Sequence, residues 1–203
     1  MIGSGSSSSP TDTNQTPTQT PTDEEQQKIN ELTAQWSNMT FEEDAIPSLA
    51  QKILSNELED LYYGLIGIRK LLSKENNPPI QPVIDTNSVP RLVSLMSTGS
   101  ADKIKFEAAW CLTNLCSGTT QQTQFCIENG AIPAFIEMLK LQDPEAVEQA
   151  VWGLGNIAGD NSKFRDIILH SNGVQPMLQV LQNAANVGLK RNGVWALSNF
   201  CRG

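Results

Sequence analysis

The sequence predicts an all-α protein: a right-handed superhelical solenoid of about four helical repeats, the last one truncated, preceded by a disordered N-terminal tail. Three observations carry this. Proline recurs at Pro47, Pro90, Pro133 and Pro176, every step 43 residues. A Trp followed four residues later by an Asn recurs as Trp110–Asn114, Trp152–Asn156 and Trp195–Asn199, with Trp-to-Trp steps of 42 and 43 residues. Between these markers the apolar residues keep helical spacing only. A period in the low forties built from helices alone belongs to stacked repeats, where each unit touches its neighbours and the core runs along the stack.

The chain divides into a Ser/Thr/Pro-rich acidic tail, residues 1–40, and a repeat domain, residues 41–203. Residues 1–22 are almost wholly Ser, Thr, Pro, Gln and Gly, with Asp12 and no base. That is too little aliphatic surface to offset the entropy of ordering. Asp23 to Gln35 is expected to fray in and out of helix. The first Pro-opened helix runs from about Ala45 to Leu54, since Pro costs nothing in a first turn whose N–H groups have no partner. Leu58 to Leu72 is the second helix, with Leu58, Leu61, Leu65, Ile68 and Leu72 on one face. In this first unit Ile66 and Lys70 take the places of Trp and Asn, as an end repeat allows. Pro78-Pro79 ends it. The second unit runs from about Ile84 to Asn129, the third begins near Gly130 and the fourth near Gly173. Asp143-Pro144 is an N-cap and first-turn pair for the Trp152 helix. Thr120–Glu128 and Ser162–His170 are short helices that open units. Asn129-Gly130 and Asn172-Gly173 mark turns.

Charge and cysteine content exclude several classes. The formal charge is −8, but residues 1–60 hold eleven acids against Lys28 and Lys52, so the rest of the chain is near neutral. The low isoelectric point therefore says nothing about the repeat surface; that must come from particular residues. Cys111, Cys116, Cys126, Cys201 and the single His170 do not form a Cys/His metal site, and reduced thiols in or near the core are expected. No metal or other cofactor is expected. No apolar run is long enough to cross a bilayer and no secretory signal is present, so the expected location is cytosolic or nuclear. There is no Gly-rich phosphate loop and no carboxylate pair with a reason to be catalytic. The basic pair Lys190-Arg191 is too local for nucleic-acid binding.

On a helix, Trp152 and Asn156 share a face, with Gln149 beside them, while Ala150, Leu154 and Ile157 lie opposite. The pattern repeats: Glu107, Gln149 and Asn192 stand three residues before each Trp, and Leu112, Leu154 and Leu197 two after. One buried-looking indole on a wet face is commonly packed by a neighbour. Three at one spacing form a ladder. An Asn amide offers a donor and an acceptor, so a row of them can hold an extended peptide backbone without reading its side chains. Parallel indoles make slots for long alkyl stems whose charged heads stay wet. A Lys or Arg there also gains cation–π attraction, roughly 0.5–2 kcal/mol. Asp160 stands four residues past Asn156, with Glu107 and Glu148 adding acidity nearby. The implied ligand is an extended peptide rich in Lys and Arg.

The chain resembles the importin-α family of nuclear-import adapters, whose fold is the armadillo repeat. The resemblance lies in Arg69-Lys70-Leu71-Leu72-Ser73-Lys74-Glu75 with Pro78-Pro79-Ile80, in Phe106 to Asn114 with Ser117-Gly118-Thr119, and in Gly130 to Phe135. It continues through Glu148 to Asp160, Phe164-Arg165-Asp166, and Leu197-Ser198-Asn199 with Cys201-Arg202. It covers about residues 45–203. By resemblance, the site for basic nuclear localisation signals falls on Trp110, Asn114, Ser117, Gly118, Thr123, Gln149, Trp152, Asn156, Gly159, Asp160, Asn192, Trp195 and Asn199. Asp160 would meet the most selective lysine of the signal. Leu72 and Lys74 would lie at the far end of the groove, Lys74 standing where the family usually has Arg. The expected partners are signal peptides of cargo proteins, with no nucleic acid and no membrane, and the expected protein shuttles between cytoplasm and nucleus.

Two departures shape the expectation. The family opens with a strongly basic segment that binds importin-β and folds back on the groove; residues 1–50 here hold one base, Lys28. The family also continues for several further repeats, whereas this chain stops in its fourth unit, as a fragment or a reduced relative would. A competing reading is an armadillo scaffold of the catenin-like kind, or a truncated relative that binds other partners without completing import. A generic scaffold has no need of three indoles at one spacing. An enzyme is the third class, and His170 alone gives it no support.

Overall fold

Five of the described α-helices open on a side-chain cap. The computed structural model describes residues 21–97, 99–184 and 186–202. Helix α1 spans Asp23–Trp36, opened by a capping box in which Thr22 and Glu25 each bond the other's backbone N–H. After a short 3₁₀ turn come α2 (Ile46–Ile53) and α3 (Leu58–Leu72). The second unit is α4 (Ile80–Ile84), α5 (Val89–Leu95) and α6 (Asp102–Leu115). The third is α7 (Thr120–Glu128), α8 (Ala131–Met138) and α9 (Pro144–Asp160), and the fourth α10 (Ser162–His170), α11 (Val174–Asn183) and α12 (Val187–Phe200). The described residues hold helices and turns in a solenoid: α3, α6, α9 and α12 stack in order, each backed by the helix before it in its own unit.

The borders of α3, α7 and α10 match the expected helices, and Asp143 caps α9 by accepting from the Glu145 N–H. The prolines sit at the second or third residue of their helices rather than the first. All four remain within the first turn, where no intrahelical partner is lost. The turn before α8 uses Gly130 at φ 92°, whereas the turn before α11 puts Asn172, not Gly173, in the left-handed region. Asn tolerates that region better than other side chains. The expected unit borders near 84, 130 and 173 fall too late, because α4, α7 and α10 precede them and belong with the helices that follow.

The tail boundary needs a larger correction. Residues 1–20 lie outside the described residues, but residues 21–40 are not a disordered tail. Ile29, Leu32 and Trp36 of α1 are buried against α3. Trp36 meets the Tyr63 ring edge-on at 5.0 Å, and the Thr33 and Tyr62 hydroxyls bond at 2.7 Å. The Lys70 ammonium donates to the carbonyls of Trp36, Ser37 and Met39 at 2.6–3.1 Å, capping the end of α1. Burial beside Arg69 lowers the Lys70 pKa from its ordinary value. Thus α1 covers the open end of the first unit, where an unprotected repeat would expose its core.

The core runs without a break from Ile29 to Phe200 and includes Tyr62, Leu92, Leu112, Phe135 and Leu154, all fully buried. Cys111, Cys116 and Cys126 are free thiols within it; burial pushes the Cys111 pKa up, and a hydrogen bond with the Cys126 thiol, together with burial, does the same for Cys116. Helices α2 and α3 approach so closely that a Cβ on Gly64 would stand 2.6 Å from the Leu49 carbonyl oxygen and 2.9 Å from the Ile53 nitrogen. Backbone atoms cannot rotate away. Gly64→Ala is therefore expected to cost about 3 kcal/mol. That is a fall of roughly 6–12 °C in the thermal midpoint followed by circular dichroism; an unchanged midpoint would show that α2 can shift freely. No described helix is long and apolar enough to cross a membrane.

Candidate peptide-binding groove

The third helix of each unit places the Trp and the Asn. On α6, Ala108, Cys111, Leu112 and Leu115 are fully buried; on α9, Ala150, Leu154 and Ile157. With those faces committed to the core, the 3.6-residue period leaves the Trp–Asn face at the surface. Trp152 and Trp195 are each 41% exposed, and Trp110 is half-buried. Trp195 lies against α9: a Cβ on Gly155 would come within 2.2 Å of its Cζ3. Gly155 thus lets the indole approach the α9 backbone, with Asn156 next to it.

The Asn row also ties the units together. Asn156 Nδ2 donates to the Thr113 carbonyl at 3.3 Å, and Asn199 Nδ2 to the Gly155 carbonyl at 3.0 Å. Asn114 Nδ2 reaches the Ser73 hydroxyl at 3.2 Å instead. Each amide spends one N–H this way, keeping its oxygen and a second N–H. Asn199 is nevertheless only 4% exposed, so it offers less to a ligand than the other two. The buried Thr113 hydroxyl adds a further tie, donating to the Gln149 carbonyl at 3.0 Å.

Two adjoining cavities gather most of the expected residues. One, of about 360 Å³, is lined by Thr113, Asn114, Trp152, Asn156, Asn192 and Trp195. The other, of about 410 Å³, is lined by Cys116, Ser117, Gly118, Thr123, Gly155, Asn156, Gly159, Asp160, Trp195, Ser198, Asn199 and Arg202. Asn156 and Trp195 border both. Asp160 is exposed at the end of α9, and its carboxylate accepts a hydrogen bond from the Thr120 hydroxyl at 2.9 Å. Thr123 is buried, its hydroxyl on the Cys116 carbonyl at 3.3 Å.

Other expected residues stand apart. Leu72 is 3% exposed and its side chain belongs to the core, so the expectation that it faces a ligand is corrected. Leucine at that helical position continues the buried face of α3. Lys74 lies near Glu42 and Glu43, at 4.0 and 3.8 Å. Gln149 is buried, and its Oε1 has no hydrogen-bond partner. Glu107 does not supply free acidity, because Arg69 grips it, whereas Glu148 keeps its charge and accepts one hydrogen bond from Asn192 Nδ2 at 2.7 Å. Thr113, Gly155, Ser198 and Arg202 were missed. Thr113, Gly155 and Ser198 each follow a ladder Trp by three residues, and that spacing was a usable signal.

The role of Gly155 is testable. Gly155→Ala pushes the Trp195 ring off α9 and is expected to cost ~1–3 kcal/mol of stability by overpacking. An unchanged thermal midpoint by circular dichroism would show that the indole moves aside freely.

Residues 76–117 and 119–159 match the Armadillo/beta-catenin-like repeat family, covering the second and third units. The chain is 41% identical over 172 residues to importin subunit alpha-1b of Oryza sativa subsp. japonica, a match spanning 85% of this chain and 32% of that protein. It is 44% identical over 162 residues to importin subunit alpha-B of Dictyostelium discoideum, spanning 79% and 31%. The chain thus spans about a third of the length of these curated relatives. Among solved structures it is similar to a designed armadillo repeat protein in complex with the peptide (KR)4, with 27% identity and a TM-score of 0.71, over 77% of this chain and 64% of that one.

Proposed function

The chain belongs to the importin-α family of armadillo-repeat proteins, and from that premise we propose that its groove binds Lys/Arg-rich nuclear localisation signals as extended peptides. The observation that carries this reading is the pair of adjoining cavities, with Asn156 and Trp195 on both and the exposed Asp160 at one edge. A long basic stem lies against the half-exposed indoles while its ammonium reaches the carboxylate. The peptide backbone takes the remaining hydrogen-bonding capacity of Asn114 and Asn156. The designed relative that holds a (KR)4 peptide supports the same ligand chemistry.

In this reading the protein is a non-enzymatic adapter in nuclear import, working between cytoplasm and nucleus, with cargo signals as its partners. The test is a fluorescence-polarisation titration with a labelled peptide carrying three consecutive lysines, beside the same peptide with those lysines changed to alanine. Tight binding of the first and loss of the second is expected. Equal affinity for both would sink the proposal.

A further inference from the structure

We infer that Arg69 is an internal occupant of the groove that sets where the row of cation-accepting sites stops; the inference rests on the peptide-binding reading above. Arg69 projects from α3 onto the ladder of the next unit. Its guanidinium carbon lies 4.8 Å from the centroid of the Trp110 ring. Its Nε donates to Glu107 Oε2 at 2.6 Å and its Nη2 to Glu107 Oε1 at 3.4 Å. The two side chains are 17% and 6% exposed. Glu107 is three residues before Trp110 on α6, so the carboxylate and the indole share a face and hold one cation together.

This is the contact the other two indoles are proposed to make with a ligand: a basic group over a Trp. Among the described residues, cations lie over Tyr63, Trp110 and Phe106, and none lies over Trp152 or Trp195. The sequence repeats the difference. Where α6 has Glu107 before its Trp, α9 has Gln149 and α12 has Asn192, both uncharged. The first rung is therefore built around a carboxylate with its own arginine, and the next two rungs are built to receive a cation from outside.

A ligand lysine arriving at the face of Trp110 that Arg69 covers must displace a group held in place by the chain itself, and a tethered competitor acts at high effective concentration. The lysine would gain the carboxylate and indole only by leaving Arg69 half-buried without a partner, which is costly. A basic run that extends past Trp152 toward α3 consequently gains nothing from one more lysine. Arg69 is a specificity-determining residue: it limits how many consecutive basic side chains the groove reads. It does so by blocking a site, and specificity often rests on such a penalty rather than on added attraction.

The test uses three labelled peptides: three lysines flanked by alanines, the same with a fourth lysine added at the N-terminal side, and the same with it added at the C-terminal side. The unmodified protein is expected to bind at least one of the two extended peptides within about twofold of the short one, the one whose extra lysine falls at Trp110. Arg69→Ala bares the indole and the Glu107 carboxylate. It is expected to bind one of the two extended peptides about tenfold tighter than the short one. The double variant Arg69→Ala/Glu107→Gln keeps the bare indole without the charge and should lose most of that gain. Arg69→Lys should restore the indifference of the unmodified protein. If Arg69→Ala treats the three peptides alike, while the unmodified protein binds them, the inference is overturned and the peptide-binding reading stands. A large gain from a fourth lysine on either side in the unmodified protein, for both extended peptides, overturns it without any variant, so the test survives a variant that fails to fold. If the unmodified protein binds none of the three, the peptide-binding reading itself fails, and this inference with it.

Discussion

Asp160→Lys is expected to weaken binding of a three-lysine peptide about 100-fold at low salt, and Asp160→Asn about tenfold. The indoles accept any long basic stem, so they give affinity with little choice of register. Under the proposed peptide-binding function, a single carboxylate at the cavity edge would decide which lysine sits there, because selectivity is a difference in affinity between registers. Asp160 is suited to this. Among the described residues its side-chain partner is the neutral Thr120 hydroxyl and it borders the cavity itself, whereas Glu107 is paired with Arg69 and Glu148 lines neither cavity. Neutralising it leaves no stranded charge in the protein, so the thermal midpoint should hardly move. Reversing it sets two like charges together. The gap between the two variants should narrow as added salt shortens the Debye length below about 8 Å. Equal binding by Asp160→Lys and the unmodified protein would mean that the ligand lies elsewhere.

Trp152→Ala should separate binding from folding. Trp152 borders the cavity lined by α6, α9 and α12, and 41% of it is exposed. Its removal takes away one wall of the groove, for an expected loss of about 30- to 100-fold in peptide affinity, in line with a central aromatic anchor. Stability should fall far less than for a core Trp, whose truncation costs roughly 3–5 kcal/mol. Ile66 holds the equivalent place in the first unit and is buried. Ile66→Ala should give the opposite pattern, a loss of about 2–5 kcal/mol in stability with affinity intact below the transition. Parallel denaturation and binding curves for the two variants decide it. If both lose stability and binding in proportion, the indole is a core residue that happens to be visible.

The parts of the fold that were legible in the sequence are those set by local rules. Helices α3, α7 and α10 could be bounded to the residue because local signals lie within a few positions of each other, apolar spacing for α3 and caps and turns for α7 and α10. The ladder was legible because it repeats, and the structure brings Asn114, Trp152, Asn156, Asn192 and Trp195 into one cavity. What was not legible depends on partners far along the chain. Helix α1 looks too polar to order itself; it is held by Tyr62, Tyr63 and Lys70, about thirty residues away. Glu107 reads as free acidity until Arg69 is placed against it. Leu72 was assigned to the groove by resemblance, although its apolar spacing already put it with Leu65 and Ile68 in the core. The Gly155 contact with Trp195 needs the spacing between two helices, which no local pattern states.

The four tryptophans allow a direct test of the central claim, that a basic peptide lies along the ladder. Trp110, Trp152 and Trp195 line the row, and Trp36 is buried between α1 and α3 as an internal control. Their four indole N–H signals can be followed in a proton–nitrogen correlation spectrum while the three-lysine peptide is added. The account predicts that the Trp152 and Trp195 signals move most, that Trp110 moves less because Arg69 already covers it, and that Trp36 stays in place. Shifts confined to Trp36, or none at all at a peptide concentration where polarisation reports saturation, would contradict it.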